Sequence, residues 1–352
     1  VSRRLLAVRA AAVLLGGALV LGGASPDARW VGSAARAQAG GGEHPEGPPP
    51  IAPEEVGTWR FRDPARPHKA VVIGGSVSAW PRGSYSQFLE AACPRVEIVN
   101  KGKARIGARQ LRERFTKQVL RNLRLRAQRK DFASFTLLFH GGLNSVGTPT
   151  LTNEQIRKTF VAAHKHGLRV IALSLNPWGS PRRWRGGKGL RSFWHTRLAV
   201  DFVLGRLDPA DALGRYARKR TSPGWVDGEL PDGAIDLYDS PLRDAEAPLL
   251  AAAPVTRALR ADKRLRKRLA AVPEGEREAT FARWVETARA LPRWWMRRDL
   301  RAFDDIHPNL EGHRIIAQLV CPKLPAEWGC QCDALAKMRW DVKAGGLTPR
   351  VK

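Results

Sequence analysis

A serine, a histidine and an aspartate stand in this sequence where their side chains could transfer an acyl group. The strongest local signal is Asp304-Asp305-Ile306-His307-Pro308-Asn309. An Asp three residues before a His, on the turn into a helix, can fold back onto the imidazole Nδ1. That contact selects the tautomer and leaves Nε2 free to take a proton from a hydroxyl. The hydroxyl on offer is Ser76, within Ile73-Gly74-Gly75-Ser76-Val77-Ser78. Glycines before it let the chain turn tightly and approach a substrate, and backbone N–H groups at such a turn can face an oxyanion. Asn144, after Gly141-Gly142-Leu143, adds a carboxamide donor. Each segment also has a plainer use. Gly-Gly-Ser serves ordinary strand-to-helix turns, Asp304 and Asp305 can cap a helix, and Asn tolerates left-handed backbone in Gly-rich loops.

Chemistry of this kind needs a scaffold that brings distant segments to one edge. Five short apolar runs read as strands: Lys69–Ile73, Val96–Val99, Phe135–Phe139, Leu168–Leu175 and Ala234–Tyr238. Between them, helical spacing covers Gly83–Ala92, Ala108–Gln128 and Asn153–His166, the last with Thr152 as N-cap and Gly167 at its end. A final short helix follows Pro308, a residue suited to a helix start, with Ile315, Ile316, Leu319 and Val320 as its apolar face. Strands without polar alternation, separated by helices, predict a parallel sheet covered on both faces. In such sheets functional groups gather at the C-terminal ends of strands, where the Gly-Gly-Ser and Gly-Leu-Asn segments fall. Two inserts, about 179–230 and 242–298, are dense in Arg, Ala and Trp and read as mostly helical. Trp178, Trp184, Trp194, Trp294 and Trp295, near strand ends or just before the Asp-x-x-His block, are expected to bury the inserts onto the core, since Trp is highly buried on average; stacking on sugar rings is the alternative.

Arg3, Arg4 and Arg9 precede an uncharged apolar run from Ala10 to Ala24, and Ala37-Gln38-Ala39 offers a small-x-small cleavage pattern. These features predict a signal peptide over 1–39, cleaved near Ala39. The run is shorter than the ~20 residues a spanning helix needs, so no membrane span is expected after cleavage. The Arg pair also resembles a twin-arginine export signal. The expected location is therefore secreted or periplasmic, with a Gly/Pro-rich linker over 40–57, one domain over 58–338 and a basic tail over 339–352. In an oxidising compartment, Cys93, Cys321, Cys330 and Cys332 predict two disulfides. Cys330 and Cys332 are too close to pair comfortably with each other, so each is expected to bond to Cys93 or Cys321. No metal or other cofactor is expected, because zinc-type Cys-x-x-Cys or His spacing is missing. The formal net charge is +27, and removing residues 1–39 takes away five Arg and one Asp to leave +23. Such a surface favours anionic partners, although a compositional bias toward Arg and Ala accounts for it equally well. No nucleic-acid-binding module is recognisable, so no specific nucleic-acid partner is expected.

Taken together, the segments resemble the SGNH/GDSL hydrolase family across the core strands and the last helix. Ser76 matches the family's Gly-Asp-Ser block after strand one, with Gly75 in place of the Asp. The stretch from Asn100-Lys101-Gly102 to Ile106-Gly107-Ala108 resembles the block that supplies an oxyanion glycine; Gly107 is the first choice and Gly102 the fallback. Gly142-Leu143-Asn144 meets the Gly-x-Asn-Asp block, with Ser145 in place of the Asp. Asp304 and His307 match the Asp-x-x-His block, followed by the family's frequent His-Pro-Asn and by Gly312-His313.

The resemblance implies an α/β fold of three layers, with a flavodoxin-like parallel sheet of about five strands and helical inserts. It implies a triad of Ser76, His307 and Asp304. Oxyanion donors would be the Ser76 and Gly107 N–H groups and the Asn144 side chain. The implied activity is that of an exported serine esterase or O-acyltransferase. Acetyl esters of envelope or extracellular polysaccharide lead as substrates, and lipid esters come second. The competing expectation is a catalytically inactive protein of the same fold that binds an acidic envelope polymer. Gly75 and Ser145 favour the inactive protein; the complete Ser, His, Asn and Asp set argues against it.

Overall fold

The computed structural model describes residue 63, residues 65–341 and residues 345–349. The expected signal peptide (1–39) and linker (40–57) lie outside the described residues. The core is a parallel sheet of five strands: β1 (His68–Gly74), β2 (Val96–Asn100), β3 (Ser134–His140), β4 (Arg169–Leu173) and β5 (Gly233–Ile235). The strand order β2-β1-β3-β4-β5 is the flavodoxin-like one.

Successive side chains of a strand face opposite ways, and β1 shows why its run is uniformly apolar. Ala70 and Val72 enter one core with α1 (Tyr85–Ala92) and α10 (Leu310–Val320). Val71 and Ile73 enter a second core with α2 (Ala108–Phe115) and α4 (Pro149–His164). The three layers follow from this double burial. In register, Ile73 lies opposite Phe139 and Gly74 opposite His140. The turns that follow β1 and β3 therefore leave the sheet at the same level.

Several element boundaries differ from those predicted. The helix expected over 108–128 is interrupted: α2 gives way to a π-helical turn at Thr116–Leu120, and α3 (Leu123–Gln128) restarts after it. Asn122 causes the restart, its Oδ1 accepting the Leu125 N–H at 3.0 Å as an N-cap does. Helix α4 begins at Pro149, ahead of the expected start, because proline suits a first helical position. Thr152 is thus inside the helix, donating to Ser145 O at 2.7 Å. Strand β5 stops at Ile235 because Asp236 Oδ1 accepts the Tyr238 and Asp239 N–H groups (2.9 and 3.0 Å) and curls the chain.

The inserts form α5 (Gly186–Val203), α6 (Pro209–Leu213), α7 (Ala252–Ala261), α8 (Lys263–Ala270) and α9 (Arg277–Arg289). A third apolar cluster joins α5, α7, α8 and α9 to Val146, Leu175 and Tyr238. Trp184 and Trp295 are buried in it, while Trp178, Trp194 and Trp294 are half-buried against it. These indoles act as core.

Disulfides join Cys93 to Cys330 and Cys321 to Cys332, tying the ends of α1 and α10 to the segment after them. The sulfurs of Cys93, Cys321 and Cys330 lie within 4.8 Å of one another, but the disulfides consume the thiolates a metal would need. Across the expected start of the basic tail at 339, β6 (Met338–Asp341) pairs antiparallel with β7 (Gly346–Pro349). Trp340 and Leu347 of this hairpin pack on the α1/α10 core. Among the described residues, no helix is long and apolar enough to cross a membrane.

Candidate active site

Ser76 occupies the turn after β1, and backbone contact closes that turn tightly. A Cβ at Gly74 would fall 2.1 Å from Ser78 Oγ and 2.4 Å from His140 O, so only glycine fits. The Gly75 N–H donates to His140 O (3.1 Å) and the Ala79 N–H to Gly75 O (2.9 Å). Asn100 at the end of β2 donates to Ser78 O at 2.7 Å, locking the far side of the turn. At Gly75, where the family carries Asp, a Cβ would meet nothing within 4 Å. The turn therefore has room for a side chain at this position.

His307 is held by a pinched loop. Arg301 and Pro308 form an antiparallel bridge, the Ala302 N–H donates to His307 O (2.7 Å), and the Asn309 N–H donates to Leu300 O (2.9 Å). Helix α10 is capped by Asn309, whose Oδ1 accepts the Gly312 N–H at 2.9 Å. Pro308 accordingly sits just before the cap, outside the helix. Asp304 is thereby free of capping duty. Its Oδ1 accepts the Ile306 and His307 N–H groups, each at 3.1 Å, and its Oδ2 accepts from His307 Nδ1 at 2.5 Å. Burial opposes ionisation of Asp304, but these hydrogen bonds outweigh it and hold the carboxyl below its ordinary range. The neighbouring Asp305, with φ +61°, turns its carboxylate toward Arg301 (3.5 Å).

With Nδ1 donating to Asp304, Nε2 is an acceptor, and it lies 2.6 Å from Ser76 Oγ. The structure thus brings Ser76, His307 and Asp304 into one hydrogen-bonded chain. A hydroxyl so placed can lose its proton to the imidazole as it attacks a carbonyl, while the carboxylate steadies the imidazolium.

The expected oxyanion donors divide. Asn144 and Ser76 both line a small pocket with Ile106, His140, Leu143 and Leu175. Asn144 is exposed, and its Nδ2 donates to Ile106 O at 3.1 Å. The Gly107 N–H is engaged elsewhere. Gly107 is the N-cap of α2, and its N–H donates to Gln110 Oε1 at 2.8 Å. The fallback Gly102 is occupied too, donating to Asn100 Oδ1 at 2.8 Å. What Gly107 provides is close approach, since a Cβ there would lie 3.0 Å from the Ser145 Cβ. Ser145 Oγ bridges the loops, accepting the Ala108 N–H (3.0 Å) and donating to Gly142 O (3.1 Å).

Behind the site lie groups that local patterns did not reveal. His140 and His313 are buried, and Nδ1 of the former and both ring nitrogens of the latter have no hydrogen-bond partner among the described residues. Burial pushes His140 down to about 4. Burial, with His140 and His307 nearby, pushes His313 down to about 3. Both rings are neutral at ordinary pH. Trp80 is wedged between His307 and His313, with ring centroids at 5.8 and 5.5 Å. Arg183, from the first insert, donates to Asp304 O at 3.0 Å and ties that insert to the loop. His140 directly precedes Gly141-Gly142, a position that could have singled it out; Trp80 and Arg183 have no comparable signal.

No family model matches the chain, and no curated protein matches it. Solved structures that align with it include GDSL-type lipases and acylhydrolases, at low identity. The lipase/acylhydrolase from Enterococcus faecalis is 13% identical over 81% of this chain and 100% of its own, with a TM-score of 0.38. A GDSL-like lipase from Bacteroides thetaiotaomicron is 13% identical over 72% of this chain and 86% of its own, with a TM-score of 0.37. An acetyl xylan esterase is 13% identical over 73% of this chain and 100% of its own, with a TM-score of 0.40. Likeness at this level concerns the fold alone.

Proposed function

We propose that the chain is an exported SGNH-type serine esterase or O-acyltransferase with Ser76 as nucleophile, His307 as base and Asp304 as its orienting carboxylate. The observation that carries this reading is the continuous chain from Ser76 Oγ to His307 Nε2 (2.6 Å) and from His307 Nδ1 to Asp304 Oδ2 (2.5 Å). Ser76 Oγ bonds to the ester carbonyl carbon as its proton passes to Nε2. The Ser76 N–H and the Asn144 carboxamide stabilise the oxyanion, Asn144 exchanging its contact with Ile106 O for the developing charge. The carbonyl–alkoxy bond then breaks, and the Nε2 proton goes to the leaving alcohol. Water, or an acceptor hydroxyl, attacks the acyl-serine as its proton passes to His307 Nε2; the bond from Ser76 Oγ to the acyl carbon then breaks, Nε2 returns the proton to Oγ, and the acid or the new ester leaves.

The pocket argues for a short acyl group. Its volume is about 20 Å³, little more than one water needs, which favours an acetyl group over a longer chain. A small acyl group on a bulky alcohol, such as an acetylated glycan hydroxyl, is the substrate class this reading favours over a long-chain lipid ester. The two disulfides support an oxidising compartment.

Hydrolysis of p-nitrophenyl acetate, butyrate and octanoate by the purified chain, beside Ser76→Ala, tests the reading. Acetate turnover that the variant loses, falling at least about tenfold by butyrate, is expected. A preference for octanoate, or turnover retained in the variant, counts against it.

A further inference from the structure

Away from the Ser76 pocket, at the opposite end of the sheet where β3 and β4 begin, lies a second cavity of about 520 Å³. Arg121, Arg126, Arg129 and His166 line it, over Thr116 and Leu120 of the π-helical turn. No carboxylate lines it among the described residues. Arg129 is half-buried, its Nη2 donating to Leu120 O at 3.3 Å. Burial and the charge of Arg126 hold its guanidinium below its ordinary value. Burial, with Arg129, Lys165 and Arg126, likewise holds His166 down. Like charges gathered around a concavity repel one another, and nothing in its lining offsets them. By contrast two other half-buried arginines, Arg157 and Arg220, share Glu229.

We propose that this cavity is a binding site for a phosphate group, carried by a free ion or by a phosphate-bearing polymer. A phosphate monoester brings a charge of about −1.5 to −2 and several acceptor oxygens, whereas a single carboxylate brings one charge to three guanidinium groups. The planar guanidinium fork matches phosphate geometry in two-point contacts. π-Helical turns recur at functional sites, and here one supplies two of the lining residues. The site does not rest on the acyl-transfer reading. Its place at the far end of the sheet would let a polymer hold the chain while leaving the Ser76 pocket open.

The test is calorimetric titration of the full chain with inorganic phosphate and with soluble polyphosphate. Arg121→Gln/Arg126→Gln removes two exposed cavity cations and spares Arg129, which supports Leu120. Arg264→Gln/Arg266→Gln, on the exposed side of α8, removes the same charge elsewhere; circular dichroism checks the folding of all three proteins. Saturable one-site phosphate binding is expected in wild type and in the α8 variant, and at least about tenfold weaker binding in the cavity variant. If the natural source is a polymer, polyphosphate binds with a steeper salt dependence than the free ion; equal slopes assign the site to the free ion. No saturable binding by wild type, equal affinity in all three proteins, or equal loss in both variants overturns the proposal.

Discussion

Nε2 of His307 lies 2.6 Å from Ser76 Oγ, although 231 residues separate the two. The parallel sheet closes that distance by leaving the turn after β1 at the edge where the loop before α10 arrives. Neither residue reaches the other through a flexible arm. Ser76 is held by the Gly74–His140 close approach, and His307 by the Arg301–Pro308 bridge. A pair held this firmly from both sides is pre-organised for proton transfer.

Asp304 should matter to rate more than to binding. Replacing it with Asn removes the charge that selects the His307 tautomer and steadies the imidazolium. In Asp304→Asn, kcat for an acetyl ester should fall about 10³- to 10⁴-fold, with KM little changed. Asp305→Asn, which loses only a contact to Arg301, should stay within about fivefold of wild type. Steady-state kinetics on the two variants distinguishes these roles, and equal losses would contradict the assignment.

Asn144 and Gln110 should behave oppositely. Asn144→Ala removes a proposed oxyanion donor and should lower kcat about 10²- to 10³-fold. Gln110→Ala frees the Gly107 N–H, which is engaged by Gln110 Oε1, and should leave kcat no lower than about half of wild type. A large loss in Gln110→Ala with normal folding would show that the Gly107 segment needs its cap to support the reaction.

Acid should destabilise the fold through its buried imidazoles. His140 and His313 sit at about 4 and about 3 when folded, against about 6.5 when unfolded. Below that unfolded value the unfolded chain binds more protons, so stability is fully present above it. Stability is then lost as the pH falls toward the folded values, by up to roughly 1.4 kcal/mol per pH unit for each ring. The depressed Asp304, Asp232 and Glu229 add losses of the same sign at lower pH, through the carboxylate range. His164 runs the other way: burial opposes its charge, but Asp232 raises it overall, so its share is lost as pH rises through its folded value. Urea midpoints at pH 7.5 and pH 5 should therefore differ less in His313→Leu than in wild type. The variant should also be the more stable at pH 5, because the ring it replaces has no hydrogen-bond partner. An unchanged pH dependence would contradict this.

What the sequence made legible was chemistry carried by short segments. The Asp-x-x-His spacing, the Gly-Gly-Ser turn and the apolar strands are local patterns, and each stands in the structure at the expected edge. Less legible was whatever a neighbouring side chain decides. Gly107 looked free until Gln110, three residues on, proved to hold its N–H. The long helix over 108–128 looked continuous until Asn122 was seen to cap a new start. Trp80 and Arg183 reach His307 and Asp304 only through tertiary contact, which no periodicity encodes. The expectation that tryptophans bury the inserts holds fully for Trp184 and Trp295, while Trp178, Trp194 and Trp294 are half-buried against the same cluster.

The most direct test of the central claim is labelling of the purified chain with a fluorophosphonate, beside Ser76→Ala and His307→Ala. The Ser76–His307–Asp304 chain predicts stoichiometric labelling of wild type at Ser76, none of Ser76→Ala, and labelling at least about 10²-fold slower in His307→Ala. A folded wild-type protein that takes no label, or one labelled equally in Ser76→Ala, would contradict an activated nucleophile at Ser76.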